Sequence, residues 1–159
     1  MPTKLSEGDA APDWDVETDR NERVKLSDLR GEWIVLYWYP KDDTPGCTTE
    51  ACGIRDNWQM LSGEAKLFGI SPDSVKSHQK FRDKFNLPFP LLADEGHQVS
   101  ERYGVWGPKK FMGREYMGVD RSTFIIDPDG KIARVYPKVS PAGHALELAD
   151  ALRELKSNR

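Results

Sequence analysis

The sequence predicts an α/β fold, a central mixed β-sheet flanked by helices. Three observations carry that expectation. The run "EWIVLYWYP" (32–40) is continuously apolar, β-branched and aromatic and closes on a proline, the pattern of a strand buried on both faces. Stretches with apolar residues at three- and four-residue steps alternate with such runs, as in βαβ units. The segment "STFIIDPDGKIARVYP" (122–137) places two β-rich runs around Asp127, Pro128, Asp129 and Gly130, the turn chemistry of a hairpin.

The remaining elements follow in order. From Cys47 onward, Ala51, Ile54, Trp58 and Leu61 recur at helical steps, so one helix is expected after the first strand. "AKLFGIS" (65–71) reads as the next strand. A helix is expected over 75–85, with Asp73 or Ser74 able to cap it and Asn86 and Pro88 near its end. A short strand (89–94) and a short helix (97–103) precede the hairpin. The closing helix, 143–156, carries Ala145, Leu148, Ala149, Leu152 and Leu155 on one face. A βαβ unit followed by a ββα unit is the element order of the thioredoxin-like fold. No repeat or linker divides the 159 residues, so one domain covering 1–159 is expected, long enough to bury a core without disulfide or metal staples.

Composition narrows the functional classes. The chain is 38% hydrophobic and 31% charged with a net charge of -3, which gives no electrostatic case for nucleic acid or for an anionic membrane. The opening "MPTKLSEGDAAPDWDVE" has no apolar core of a secretory signal, and no run is long enough to span a bilayer. The expected location is the cytoplasm. Thiols are kept reduced there, so two nearby cysteines point to redox chemistry or metal binding before a structural staple.

The chain has two cysteines, Cys47 and Cys52, both within "YPKDDTPGCTTEACG" (39–53). Pro45 and Gly46 break the chain between strand and helix, so Cys47 falls on or just before the first helical turn. Unpaired N–H groups and the positive end of the helix dipole favour an anion there, and the thiolate is the reactive form of cysteine. Magnitudes limit the effect. Moving a free cysteine from a pKa near ~8.5 to ~6 requires about 3.4 kcal/mol, whereas a helix end supplies ~0.3–1 kcal/mol, or ~2 when partly buried. A cation is therefore expected nearby. On an ideal helix, five residues rotate by about 140° and separate the Cα atoms by roughly 8.6 Å, beyond the ~7 Å limit for a disulfide. The pair can bond only if the first turns melt. Cys52 also lies off the face that carries Cys47, Ala51 and Ile54. Two cysteines can equally be small buried hydrophobes. A zinc site is disfavoured: C-x4-C has no second Cys/His pair in register, and His78, His97 and His144 are scattered and read as surface residues.

The segment "YPKDDTPGCTTEACGIRD" resembles the active-site stretch of peroxiredoxins, and within them the subfamily called peroxiredoxin Q or bacterioferritin comigratory protein, which shows Pro-x3-Thr-x2-Cys with a second cysteine five residues on. Pro40, Thr44, Cys47 and Cys52 occupy those positions. "YGVWGPKKFMGREYMGVDRSTFIIDPDGKIARVYPKV" and "GHALELADAL" are similar to the family's C-terminal half, so the resemblance covers nearly the whole chain. It implies an atypical two-cysteine peroxidase without metal or organic cofactor. Cys47 would attack a hydroperoxide and become a sulfenic acid. Cys52 would resolve it as an intrachain disulfide, and thioredoxin or a similar dithiol protein would reduce that bond. Arg121 would supply the missing cation, Thr44 would hydrogen-bond thiolate and peroxide, and Pro40 would wall the pocket. The N–H groups of Gly46 and Cys47, with Arg121 and Thr44, would stabilise the departing oxygen. Glu50 suits the helix dipole or orients an arginine. The subfamily likeness implies a monomer.

Two rivals stand beside this reading. A thiol–disulfide oxidoreductase of the same fold is expected to carry C-x-x-C, which is absent. A redox-switched binding protein would consume a single equivalent of peroxide and then stop.

Overall fold

A computed structural model describes residues 3–158; Met1, Pro2 and Arg159, which the expected domain range includes, lie outside the described residues. The main sheet has five strands: β3 (Ile34–Trp38), β4 (Lys66–Ser71), β5 (Leu91–Ala93), β8 (Ser122–Ile126) and β9 (Ile132–Tyr136). Their spatial order is β5-β4-β3-β8-β9. The pairs β3–β4 and β4–β5 are parallel, while β3–β8 and β8–β9 are antiparallel. The sheet is therefore mixed, with β3 and β8 at its centre and every residue of both buried. Two smaller ribbons complete the strands: β1 (Asp15–Glu17) with β2 (Arg23–Lys25), and β6 (Trp106–Phe111) with β7 (Arg114–Val119). The helices are α1 (Pro45–Asp56), α2 (Trp58–Ser62), α3 (Val75–Phe85), α4 (Gln98–Arg102) and α5 (His144–Ser157).

The two-residue period of β3 divides the core into two layers. Val35, Tyr37 and Tyr39 point to one face, where they meet Cys47, Ala51 and Ile54 of α1, Leu61 of α2, Phe81 of α3 and Ala145, Leu148 and Leu152 of α5. Ile34, Leu36 and Trp38 point to the other, against Trp14, Val16, Leu26, Val99, Tyr103, Val105 and Val119. Helices lie on both faces as expected, but unequally: the second face is covered by the single short α4 together with the N-terminal segment and the bases of the ribbons. Trp38, fully buried, keeps its indole N–H satisfied by donating to Ser100 Oγ at 2.9 Å.

Most expected elements are found. Helix α3 has the anticipated limits because both ends carry caps. Ser74 Oγ accepts from the Ser77 N–H at 3.1 Å, and Asn86 closes the helix with φ 53°. Two differences matter. The single helix expected from Cys47 through Leu61 is two helices, broken at Asn57 (φ -112°, ψ 21°). There the Asn57 side chain donates to the Gly53 carbonyl at 2.8 Å, the local competition that makes asparagine a helix breaker. The β6–β7 hairpin was not anticipated; it turns on Met112 and Gly113, with φ 52° and 80°, a two-residue turn whose usual Asn-Gly signal is missing.

Candidate active site

Strand β3 leaves the sheet at Trp38 and passes through a loop, 39–44, into α1. Thr44 is the N-cap residue, with extended backbone (φ -108°, ψ 157°), and Pro45 takes the first helical position, where its missing N–H costs nothing. The first bond across the cap is Thr48 N–H to the Thr44 carbonyl at 2.8 Å. The N–H groups of Gly46 and Cys47 precede it, at the positive end of the helix. Cys47 is the third helical residue and is 1% exposed.

Register explains how a distant cation reaches this point. Trp38 of β3 stands opposite Ser122 of β8, so Arg121 emerges at the same end of the sheet as the loop to Cys47. Its backbone is fixed there, because the Val139 N–H donates to the Arg121 carbonyl at 2.9 Å. The guanidinium then forks: Nη2 donates to Cys47 Sγ at 3.2 Å and Nη1 donates to Glu50 Oε1 at 2.7 Å. A rigid planar fork serves two acceptors at once, which a point-charged lysine cannot do. Burial works against the Arg121 charge, but Cys47 and Glu50 outweigh it and hold the guanidinium more firmly protonated than in water.

Glu50 is 1% exposed. Of the two roles open to it from sequence, the structure shows it paired with the arginine. Burial pushes its carboxyl up to about 7, against the opposing pull of Arg121. Among the described residues its Oε2 atom has no hydrogen-bond partner, and neither does the hydroxyl of fully buried Tyr37. The Tyr37 phenol is pushed far up, first by burial and then by the charges of Glu50 and Cys47. A carboxyl that binds its proton more tightly in the folded than in the unfolded chain weakens folding as pH rises, here between about 4.5 and 7. The size is about 3 kcal/mol, fully expressed near pH 8. Glu50→Gln is therefore expected to equal the parent in stability near pH 4.5 and to exceed it by about that amount near pH 8, measured by denaturant unfolding under reducing conditions. An equal offset at both pH values would show that Glu50 is not held in this way.

Gly46 sits against the fork. A Cβ there would lie 3.2 Å from Arg121 Nη2 and 3.5 Å from Pro141 Cγ. Alanine suits the helix better than glycine by roughly 0.8–1 kcal/mol, so Gly46→Ala is expected to keep or raise the melting temperature. The guanidinium must give way by a few tenths of an ångström, and peroxide consumption is expected to fall about ten-fold, in keeping with the cost of small misplacements at a reacting centre.

The other sequence-derived residues are placed as follows. Cys52 is half-buried, one and a half turns beyond Cys47, and both thiols are free. Thr44 Oγ1 donates to the Lys41 carbonyl at 2.9 Å rather than to the cysteine, so the expected bond to sulfur is not made in this form. Pro40 is exposed on the loop. Pro141, which follows β9, was not anticipated; it lies 94 residues beyond Cys47, and no local pattern marks it.

The histidines correct the surface reading. His78 and His144 are buried and His97 is half-buried. His144 stands between Thr123 Oγ1 at 2.8 Å and Glu147 Oε1 at 2.6 Å. His78 is bonded to Asp42 and to the Leu92 carbonyl. Apart from Glu147, one helical turn on from His144, their side-chain partners are distant in sequence, so spacing alone did not show their burial.

Comparison with known proteins identifies the family. The family model described as the AhpC/TSA family matches residues 7–135. The chain is 48% identical over 149 residues to the peroxiredoxin Bcp of Bacillus subtilis, covering 93% of this chain and 95% of the relative. It is 42% identical over 151 residues to the peroxiredoxin Bcp of Escherichia coli, covering 94% and 97%. Among solved structures, the peroxiredoxin Q of Xanthomonas campestris superposes with a TM-score of 0.86 at 35% identity, covering 96% of this chain and 97% of that one.

Proposed function

The chain belongs to the AhpC/TSA family and, like the peroxiredoxins named Bcp, is a thiol peroxidase; we propose that Cys47 is its peroxide-attacking residue and Cys52 its resolving residue. The observation that carries this assignment is the Arg121 fork, 3.2 Å from Cys47 Sγ, at the start of a helix. A guanidinium and two free N–H groups around one buried sulfur favour a thiolate and supply donors for a second anion beside it.

The reaction follows from that arrangement. The sulfur lone pair attacks the distal oxygen of the hydroperoxide and forms an S–O bond while the O–O bond breaks. Sulfur is oxidised by two electrons, and the departing alkoxide or hydroxide takes a proton and leaves as alcohol or water. Arg121 and the N–H groups of Gly46 and Cys47 face the charge that develops on oxygen, with Thr44 turning toward the peroxide and Pro40 walling the pocket. The Cys52 sulfur then attacks the Cys47 sulfenic acid; the S–S bond forms as the S–O bond breaks, and the departing hydroxyl leaves as water with the proton of the Cys52 thiol. The Cα atoms of an intact helix are roughly 8.6 Å apart at this spacing, so the first turns of α1 unwind for that step. Both thiols lie on one helix, so the cycle needs no second copy, and a monomer suffices. A thioredoxin-type dithiol returns the disulfide to two thiols. The working compartment is the cytoplasm, where such reductants keep thiols reduced. Organic hydroperoxides join hydrogen peroxide as substrates, in line with the alkyl peroxide reduction named for the Xanthomonas campestris bacterioferritin comigratory protein.

Intact-mass spectrometry after one equivalent of peroxide tests the reading. Loss of two hydrogens, with a Cys47–Cys52 linkage on peptide mapping, is the expected result. A chain that gains oxygen and forms no cross-link would overturn the resolving role. Continued peroxide consumption on adding a thioredoxin system would support the proposed reductant class.

A further inference from the structure

A buried polar cluster outside the Cys47 pocket lies under the loop that leads into α1. The Asp42 carboxylate accepts from the Tyr39 hydroxyl at 2.6 Å, from Ser77 Oγ at 2.7 Å and from His78 Nδ1 at 2.7 Å. Its own N–H donates to Asp73 Oδ2 at 2.8 Å, which also accepts from Ser71 Oγ at 2.6 Å. His78 Nε2 lies 2.9 Å from the Leu92 carbonyl. A carbonyl only accepts, so Nε2 carries a hydrogen, and the short contact from Nδ1 to a carboxylate oxygen calls for a second one. The pair is thus an imidazolium and a carboxylate, buried together. Burial opposes the charge on His78, but the hydrogen bond and charge of Asp42 prevail and raise its pKa above the ordinary 6.5. Asp42, Asp73 and His78 bring donor atoms within 4.8 Å of one another, but hydrogen bonds already engage those atoms.

The hold ends abruptly on the far side. Asp43 has φ 55°, and its carboxylate pairs with exposed Lys84, at 2.8 Å. Thr44 gives α1 no side-chain cap, and no acid stands in the first turn, so the helix begins without the local bonds that usually fasten an N-terminus. A firmly bonded residue thus adjoins a left-handed residue and then a weakly fastened helix start. That is the layout of a hinge, which absorbs a backbone change at a few residues beside a rigid element.

Resting on the proposed Cys47–Cys52 cycle, we infer that Asp42, clamped by Tyr39, Ser77 and His78, is the fixed post against which α1 unwinds, with the pivot at Asp43 and Thr44, and that His78 is a positioning residue for the disulfide-forming step. The clamp keeps the loop and the end of β3 in place while Cys47 travels, so the pocket reassembles from its own foundation once the disulfide is reduced.

Hydrogen exchange read by mass spectrometry on the reduced and the disulfide form tests this. Oxidation is expected to speed exchange at least 100-fold across 45–52 and less than three-fold at the Asp42 amide. Rapid-mixing kinetics on His78→Gln and Tyr39→Phe supply the second readout. The sulfenic-acid step is expected to change less than three-fold in both, whereas the disulfide-forming step is expected to speed up about ten-fold in His78→Gln and by a smaller factor in Tyr39→Phe, since unwinding no longer stops at residue 42. Equal changes in both steps would mark His78 as merely structural and overturn the inference, as would exchange that opens through 39–42 in the parent chain. If His78→Gln fails to fold, the exchange boundary and Tyr39→Phe decide alone. A parent chain that forms no cross-link at all would instead sink the two-cysteine cycle, an outcome visible before either variant is made.

Discussion

Serine in place of Cys47 is expected to reduce peroxide turnover to the uncatalysed rate, while serine in place of Cys52 is expected to leave the first oxidation within about two-fold of the parent. The asymmetry follows from where the two sulfurs sit. Cys47 belongs to the buried cluster that holds Val35, Tyr37, Ala51 and Ile54, with Arg121 at its sulfur; Cys52 is half-buried and lies outside that cluster. Losing the Cys52 thiol therefore does not disturb the folded pocket. It removes the partner that converts the sulfenic acid into a disulfide, so the oxidised sulfur persists and moves on to sulfinic acid when peroxide is in excess. Steady-state consumption with a dithiol reductant is expected to fall at least about ten-fold, because the reductant then has no disulfide to exchange with. Intact mass distinguishes the variants: oxygen is gained in Cys52→Ser, and neither oxygen nor cross-link appears in Cys47→Ser. A Cys52→Ser protein that turned over at the parent rate would remove Cys52 from the cycle.

Arg121→Met is expected to lower kcat/KM for hydrogen peroxide by about a thousand-fold near neutral pH. Two contributions make up that loss, and pH separates them. A free thiol is about 3% ionised at neutral pH, so ionisation accounts for at most about thirty-fold. A lost donor to the developing oxyanion accounts for about a hundred-fold or more. Raising the pH restores the first contribution and not the second, so the deficit is expected to shrink toward about a hundred-fold in alkaline solution. A deficit that disappeared entirely would mean that Arg121 serves only to ionise the thiol. The variant also strands Glu50, which is buried and has no second partner for Oε2. Such a group takes up a proton rather than remain an unpaired charge. Arg121→Lys is expected to recover part of the rate, since one ammonium cannot span the sites of both Nη atoms.

How much of this was legible in the sequence depended on how local the cause was. The central strands could be read because burial on both faces makes 34–38 apolar or aromatic throughout and gives 122–126 the run Phe124, Ile125 and Ile126. Helix α3 could be read because its caps are the residues next to it. The break at Asn57 was hidden because Trp58 and Leu61 keep the helical spacing across it. Cys47 and Cys52 announced themselves through the Pro-Gly break and their own separation. Arg121 did not: what brings it to Cys47 is the pairing of Trp38 with Ser122, a fact of strand register that only the family resemblance anticipated. The burial of Glu50 and the interior place of His78 depend on contacts across the fold, and neither spacing nor composition encodes them.

The interruption at Asn57 bears on what the reductant meets. Because α1 ends at Asp56 and α2 starts anew at Trp58, the unwinding of the proposed cycle has a firebreak ahead of it: Leu61 would stay in the core while the change is confined to the 12-residue α1. In the proposed cycle, oxidation would then alter one corner of the protein's outline, and that corner is what a reductase would meet on the spent molecule.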